Sequence, residues 1–220
     1  MTGTPPEPDM RTDVIEVVLL AYPQVDELDL FGGYSVLAKA ASLSGESSRG
    51  PRLDVRIVAS EPQVTGSGGV RFAVDHGLDA AARAGVVVVP GGRGAQNASA
   101  EPELTDLLRA ADARGAAIYA VCSGALLVAG AGLARQRRIA VHHTKGDLLR
   151  TYPVGEVAQG LVRDGRIRSV GGDPSTSVKS VDLAFQILAD FAPDLVEPVS
   201  TRMETTPGRV LANDVREDRT

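Results

Sequence analysis

Four consecutive valines followed by Pro-Gly-Gly, in the segment Gly85-Val-Val-Val-Val-Pro-Gly-Gly92, limit the possible folds of this chain most strongly. A short β-branched apolar run of this kind is typical of a central strand of a parallel sheet, which is buried on both faces. The Pro-Gly-Gly that follows ends the strand in a tight loop. We therefore expect a buried sheet that helices cover on both sides.

Similar apolar runs recur along the chain and alternate with segments of helical periodicity. Strands are predicted at 14–20, 53–59, 86–89, 116–121 and 139–141, and hairpins at 68–74 and around 162–167. Helices are predicted at 34–43, 103–114, 125–130, 145–152 and 180–191. This alternation predicts an α/β fold, a three-layer sandwich with a mostly parallel central sheet and helices on both faces.

Length and charge bound the domain organisation and the function class. The 220 residues suit one domain at 14–191, preceded by a mobile tail at 1–13 and followed by a surface strap or tail at 192–220. The net charge of −5 at pH 7 disfavours nucleic acid as a partner. Neither a signal peptide nor a membrane span is recognisable, so we expect a cytoplasmic protein without a membrane partner.

Cys122 is the one cysteine of the chain, which excludes an internal disulfide and a cysteine-rich metal site. In Val121-Cys-Ser-Gly-Ala125 it follows a predicted strand and precedes a small-residue helix. This is the layout of a nucleophile elbow, with sulfur in place of the usual serine oxygen. The helix N-terminus is expected to favour the thiolate and to lower the thiol pKa. The alternative is an inert, buried side chain.

Three features fall at carboxyl ends of predicted strands, where doubly wound sheets bind their ligands: Asp29, the Gly91-Gly92 turn and Cys122. The glycine turn is either an ordinary loop or a source of backbone N–H groups for an oxyanion beside the elbow. Asp29 is either an N-terminal helix cap or an acid of the same site.

Taken together, these motifs resemble the ThiJ/PfpI superfamily, with its class I glutamine amidotransferase-like fold. The resemblance is carried by the turn Pro90-Gly91-Gly92, the elbow Ala120-Val-Cys-Ser-Gly-Ala-Leu126, and a late Gly-Gly loop that leads to Val181-Asp-Leu-Ala-Phe185. Within the superfamily, Leu28-Asp29-Leu30 followed by Gly32 looks like the isonitrile hydratase branch. The resemblance extends over nearly the whole chain.

This resemblance implies that Cys122 is the nucleophile and that Asp29 is the carboxyl group that donates or accepts the proton. Gly92 and Ser123 would supply backbone N–H groups. A carboxyl group that faces a thiolate in a pocket is expected to have a raised pKa, because burial and the neighbouring negative charge both oppose its ionisation. Asp29 would then be a proton donor near neutral pH.

The three histidines of the chain show no paired spacing, so no metal site is expected. His142 resembles a histidine that some superfamily members keep near the cysteine, and is a candidate for the pocket or for proton transfer, as Gly91 is for the pocket. A structural role for His142 is equally open. His76 and His143 are expected at the surface.

The sequence departs from the isonitrile hydratase pattern at three positions. Gly33 stands where that pattern has proline, Ser123 where it has threonine, and His143 where it has tryptophan. The loop 171–177 is also longer and more polar than in that branch. A more polar pocket suits a hydroxylated or charged substrate better than an alkyl isocyanide.

The leading hypothesis is a cysteine-dependent hydratase that needs no cofactor and converts a small isocyanide into an N-substituted formamide. One alternative is a glyoxalase-like reaction of an α-oxoaldehyde with Cys122 and His142. Asp29 counts against it, because that branch usually has glutamate as the early acid. Another alternative is a ligand or redox sensor with a reversibly oxidised thiol. The expected partners are a small-molecule substrate and, by resemblance, a second copy in a homodimer.

Overall fold

The computed structural model describes residues 14–46, 51–174 and 178–206. The predicted tail at 1–13 and three residues of the loop 171–177 lie outside the described residues. The described strands are β1 (Val14–Leu20), β2 (Arg52–Val58), β3 (Gln63–Thr65), β4 (Arg71–Ala73), β5 (Val86–Val89), β6 (Ala117–Val121), β7 (Arg138–Ala140), β8 (Glu156–Ala158), β9 (Gly160–Asp164) and β10 (Ile167–Gly171). The described α-helices are α1 (Glu27–Glu46), α2 (Ala95–Ala98), α3 (Pro102–Ala113), α4 (Ala125–Gly130), α5 (Gly146–Leu149), α6 (Lys179–Phe191) and α7 (Val196–Arg202).

Six strands form the central sheet in the order β2-β1-β5-β6-β10-β9. All neighbouring pairs are parallel except β10 and β9, which form an antiparallel hairpin. The valine strand β5 lies between β1 and β6, and its side chains are at most 3% exposed. The mostly parallel sheet that the valine run and the strand-helix alternation predict is therefore confirmed.

Two groups of helices flank the sheet, as the three-layer prediction requires. α1 packs against α6 and α7, while α2 and α3 pack against α4. The inward face of α6 is mainly apolar, and its Leu183, Phe185 and Leu188 are at most 1% exposed. Burial of such side chains contributes about 1.5–3 kcal/mol each, so α6 is held mainly by this face.

Some element boundaries differ from the predictions. α1 begins at Glu27 rather than at 34 and continues through Gly32. A Cβ at position 32 would lie 2.6 Å from Ser180 Oγ, so the glycine lets α6 approach. The first hairpin, β3–β4, begins at Gln63 rather than at 68, and the helix predicted at 145–152 is the short α5.

The segment after α6 contains regular structure in a part of the chain expected as a strap or tail. Residues 193–195 form a 3₁₀ turn that continues into α7. Val199 of α7 is fully buried, and α7 packs against α1. Among the helices of the described ranges, none combines the length and the apolar character that crossing a membrane requires.

Candidate active site

Pairing between two loops anchors the beginning of α1 beside the turn that follows β5. Val25 forms a β-bridge with Gly92, and the Asp26 N–H donates to the Gly91 carbonyl at 2.8 Å. Gly92 has a φ of +139°, and a Cβ there would lie 2.3 Å from the Gln24 carbonyl oxygen. Only glycine fits such a position, so the Gly-Gly motif is required for the two loops to pair.

Cys122 occupies a strained turn between β6 and α4. Its φ is +56°, a left-handed conformation that costs a non-glycine residue about 1–3 kcal/mol and is maintained by the surrounding structure. A Cβ at Gly124 would lie 2.1 Å from the Val89 carbonyl oxygen, so glycine is needed for the turn to lie against the end of β5. The backbone is thus that of the predicted nucleophile elbow.

Asp29 and Cys122 meet at Gly91. Asp26 caps α1 by accepting the Asp29 N–H at 3.0 Å, which leaves the Asp29 carboxyl group to face the turn after β5. There its Oδ2 accepts the Gly91 N–H at 3.1 Å. A Cβ at Gly91 would lie 2.7 Å from this Oδ2 and 2.9 Å from Cys122 Cβ. Asp29 and Cys122 therefore lie on either side of Gly91, although 93 positions separate them in the chain.

The pKa of Asp29 is raised to about 7, first by burial and then by the neighbouring Asp26. The Gly91 N–H and the Lys179 ammonium favour the carboxylate and lower this pKa, but burial outweighs them. The direction agrees with the sequence-based expectation. The main charged neighbour that raises the pKa is Asp26, whereas the sequence suggested the thiolate of Cys122.

The pKa of the Cys122 thiol moves in the direction opposite to the prediction. Burial, followed by the charge of Asp29, raises it to about 11. The Ser123 N–H and the Lys179 ammonium lower the pKa, but less than burial raises it. The helix that follows the elbow, α4, has only six residues. The helix dipole was the basis of the prediction, and burial was the effect it left out.

The side chain of Ser123 forms hydrogen bonds with both the N–H and the carbonyl group of Gly92. The Gly92 N–H donates to Ser123 Oγ at 2.9 Å, and the Ser123 hydroxyl is 3.0 Å from the Gly92 carbonyl oxygen that accepts from it. The Gly92 N–H, a predicted oxyanion donor, is therefore engaged by a neighbouring side chain. The Ser123 N–H points instead to the thiol of Cys122.

A cavity of about 480 Å³ opens over Cys122. Its lining residues are Asp26, Glu27, Ser67, Gly68, Gly92, Arg93, Cys122, Ser123, His142, Thr144 and Lys145. His142 and Cys122 thus line the same cavity. Burial, followed by the charge of His143, lowers the pKa of His142, and its Nδ1 lies 2.9 Å from Thr144 Oγ1.

The other departures from the family pattern lie at the margin of this cavity or outside it. His143 is exposed and stacks on His142, with ring centroids 4.3 Å apart. A Cβ at Gly33 would lie 3.5 Å from the Ser180 carbonyl oxygen, so this position faces α6. Exposed His76 pairs with Val58 in an isolated bridge, apart from the cavity.

Sequence reasoning missed the polar residues that close the cavity on the side of β3 and β4. The Glu27 carboxylate accepts the Gly68 N–H at 2.8 Å and the Val70 N–H at 3.4 Å, and the pKa of Glu27 is lowered. Arg93 donates to the Ser67 carbonyl at 2.6 Å. The glycine-rich turn at 66–69 was the signal that could have revealed an acidic partner, because such turns expose backbone N–H groups to anions.

The described residues contain no group of three His, Cys, Asp or Glu side chains that could hold a metal ion.

The model of the DJ-1/PfpI family matches residues 15–185. The chain belongs to the DJ-1/PfpI family. This assignment confirms the resemblance that the turn after β5, the elbow and the early aspartate indicate.

Individual members of the family resemble the chain over most of its length. Isonitrile hydratase from Pseudomonas putida is 28% identical over 195 residues, which cover 88% of this chain and 79% of that protein. A ThiJ/PfpI family protein from Pseudomonas syringae superposes with a TM-score of 0.75 at 21% identity, covering 94% of this chain and 83% of that one. DJ-1beta from Drosophila melanogaster has a TM-score of 0.71 at 20% identity, with coverages of 88% and 99%. These likenesses confirm the α/β sandwich.

Proposed function

We propose that this DJ-1/PfpI protein is a cysteine-dependent hydratase that converts a small isocyanide into an N-substituted formamide. The observation that carries the proposal is the convergence of Asp29 and Cys122 on Gly91, beside a solvent-accessible cavity that Cys122 lines. The similarity to an isonitrile hydratase supports the same chemistry. Hydration of an isocyanide needs one nucleophile and one group that moves protons, and this pair supplies both.

The pair holds one proton over a broad pH range, because the Asp29 pKa is about 7 and the Cys122 pKa is about 11. In the first step Sγ bonds to the isocyanide carbon, and the thiol proton passes through the Asp29 carboxylate to that same carbon. The product is a thioimidate in which the carbon carries sulfur and hydrogen. One S–H bond is broken, and one S–C bond and one C–H bond are formed.

Water completes the reaction at the same two side chains. The Asp29 carboxylate takes one proton from water while the water oxygen bonds to the thioimidate carbon, and Asp29 then passes this proton to the nitrogen. The S–C bond breaks, the proton of the new hydroxyl group passes to sulfur, and the formamide leaves. Each turnover consumes one water and restores both residues.

The hydrogen bonds of Ser123 favour this reaction over chemistry that forms an oxyanion. Addition to a carbonyl places negative charge on oxygen, and backbone N–H groups stabilise that charge. The isocyanide carbon has no oxygen, so its first addition requires no such donor. Because Ser123 engages the Gly92 N–H, the site is better suited to isocyanides than to esters or α-oxoaldehydes.

A glyoxalase-like reaction is the second candidate, because His142 and Cys122 line one cavity. The engaged Gly92 N–H and the aspartate at position 29 count against it. A redox sensor has less support, since the raised pKa keeps the Cys122 thiol protonated near neutral pH and protonated thiols are oxidised slowly.

The test compares wild type, Cys122→Ala and Ser123→Ala with a neutral alkyl isocyanide and, separately, with methylglyoxal. NMR follows formamide and lactate. We expect formamide from wild type and none from Cys122→Ala. In Ser123→Ala the freed Gly92 N–H should raise the ratio of lactate to formamide about tenfold. Lactate without formamide from wild type would favour the glyoxalase-like candidate, and neither product would refute both reactions.

A further inference from the structure

Lys145 lines the cavity without a partner for its charge. Its side chain is half-buried, and among the described residues its ammonium group has neither an ion pair nor a hydrogen bond. Its backbone N–H donates to the His142 carbonyl at 2.8 Å, which fixes the lysine on the same turn as the histidine. Charges withdrawn from water are normally paired, so this lysine is suited to a ligand of opposite charge.

Lys179, the first residue of α6, places a second positive charge near the reacting pair. The next residue, Ser180, donates from its hydroxyl to the Leu28 carbonyl at 2.9 Å, directly before Asp29. Lys179 is half-buried and, within the described ranges, is likewise without a carboxylate partner. Its charge acts on Asp29, Cys122 and His142.

The acids of the cavity are engaged elsewhere. Asp26 caps α1, and Glu27 accepts backbone N–H groups of the turn between β3 and β4. Arg93 lies on that same side and influences Glu27. The side formed by His142 to Lys145 is therefore cationic, whereas the opposite side carries charges of both signs.

We propose that Lys145 and Lys179 form a subsite for a carboxylate of the substrate, so that the preferred substrates are isocyanides carrying a carboxylate a few bonds from the reacting carbon. The identity of the reacting group rests on the proposed function, while the anion subsite rests on the two lysines. A compact ammonium group pairs well with a single carboxylate. The cavity volume of about 480 Å³ suits a small molecule.

The subsite is testable without turnover, because Cys122 is the one thiol of the chain. Iodoacetate and iodoacetamide both alkylate sulfur with loss of iodide. Iodoacetate carries a carboxylate, whereas iodoacetamide carries a neutral amide in its place. We expect the iodoacetate to iodoacetamide rate ratio at Cys122 to fall about tenfold in Lys145→Met/Lys179→Met. Lys39→Met is the matched control, since Lys39 lies on α1 and donates to Ser35 Oγ at 3.0 Å. Its ratio should equal that of wild type.

A turnover arm separates the subsite from the hydratase proposal. kcat/KM is measured for isocyanoacetate and for its methyl ester in wild type and in the lysine variants. A preference for isocyanoacetate that the double variant loses supports the subsite. If the double variant loses the alkylation preference but wild type hydrates neither isocyanide, the subsite proposal is supported and the hydratase proposal is refuted. Hydration of both compounds with a charge-independent alkylation rate would refute the subsite and keep the hydratase.

Discussion

Asp29 and Asp190 are both substantially buried carboxylates, but their surroundings differ. Asp29 accepts one N–H, that of Gly91, and Asp26 is the charged residue with the largest effect on its pKa. Asp190, on α6, has a side chain that is 13% exposed and lies among cations. Burial disfavours a carboxylate unless hydrogen bonds and opposite charges compensate it, so the two acids are expected to behave differently.

Four donors surround Asp190. Oδ1 accepts from Arg163 at 3.0 Å and from Gln186 at 2.9 Å, while Oδ2 accepts from Arg168 at 3.1 Å and from the hydroxyl of Tyr119. This cluster joins α6 to β6, β9 and β10. Its carboxylate is fully bonded and has a structural role.

The comparison shows how the fold distinguishes a carboxyl group whose pKa lies near neutrality from one that binds several donors. Asp29 is left with too few donors for its burial, which suits the proton transfer proposed for it. A carboxylate with many charge-assisted hydrogen bonds, such as Asp190, is held in one position. The expected effects of mutation at the two sites are therefore opposite.

Replacement of Asp29 by asparagine should have the largest effect, and on activity. The asparagine side chain retains an oxygen for the Gly91 N–H but cannot move protons, so we expect kcat/KM for the isocyanide to fall about 10³-fold, or about 4 kcal/mol. In wild type, kcat/KM should fall about tenfold per pH unit below pH 7, as Asp29 becomes protonated. Measurement of kcat/KM from pH 5 to pH 9 checks this. If kcat/KM of the variant still falls below pH 7, Asp29 is not the group whose protonation causes the fall.

The same substitution should stabilise the protein at alkaline pH. The Asp29 pKa is 3.8 ordinarily and about 7 in the fold, so between these values the folded state binds more protons and the wild-type unfolding free energy falls as pH rises. Asparagine lacks this penalty, and we expect Asp29→Asn to gain about 2–4 kcal/mol relative to wild type between pH 4 and pH 8. Urea denaturation of both proteins at pH 4 and at pH 8 measures this difference in unfolding free energy. A difference that does not change with pH would contradict the raised pKa.

Asp190→Asn should have a smaller effect on stability, of the opposite sign, and none on the chemistry. Removing the charge weakens the ion pairs of Asp190 with Arg163 and Arg168, and we expect a loss of about 2 kcal/mol in the free energy of unfolding. Urea denaturation at pH 7 checks this value, with exposed Asp194→Asn as the matched control. Unchanged stability, or a loss of kcat/KM in the folded variant, would remove the contrast between the two acids.

The strand ends of the site were predictable because parallel strands place their carboxyl ends at one edge of the sheet. That rule brings Asp29, Gly91 and Cys122 together, and each motif stands directly after an apolar run or at the start of the following helix. The function of Gly91 and Gly92 as a close-contact turn also follows from their type. The roles of these residues in catalysis remain proposals.

Two properties of the site could not be predicted from local sequence. The direction of the Cys122 pKa shift depends on the balance between burial and a six-residue helix, and the sequence reveals only the helix. Two positive charges influence the site: Lys145 lines the cavity on a short turn after β7, and Lys179 acts on Asp29 and Cys122 from the start of α6. No spacing rule relates such distant positions to the site, because tertiary packing alone places them.

The strand order has a consequence for folding. β5 lies between β1 and β6 in the sheet. Asp29 and Cys122 can therefore come together only after β1 has paired with β5 and β5 has paired with β6. A partly folded chain that pairs β1 with β2 alone would contain every residue of the site and yet lack the site. The time at which the alkylation rate of the single thiol reaches its native value during refolding would therefore record the assembly of the whole sheet.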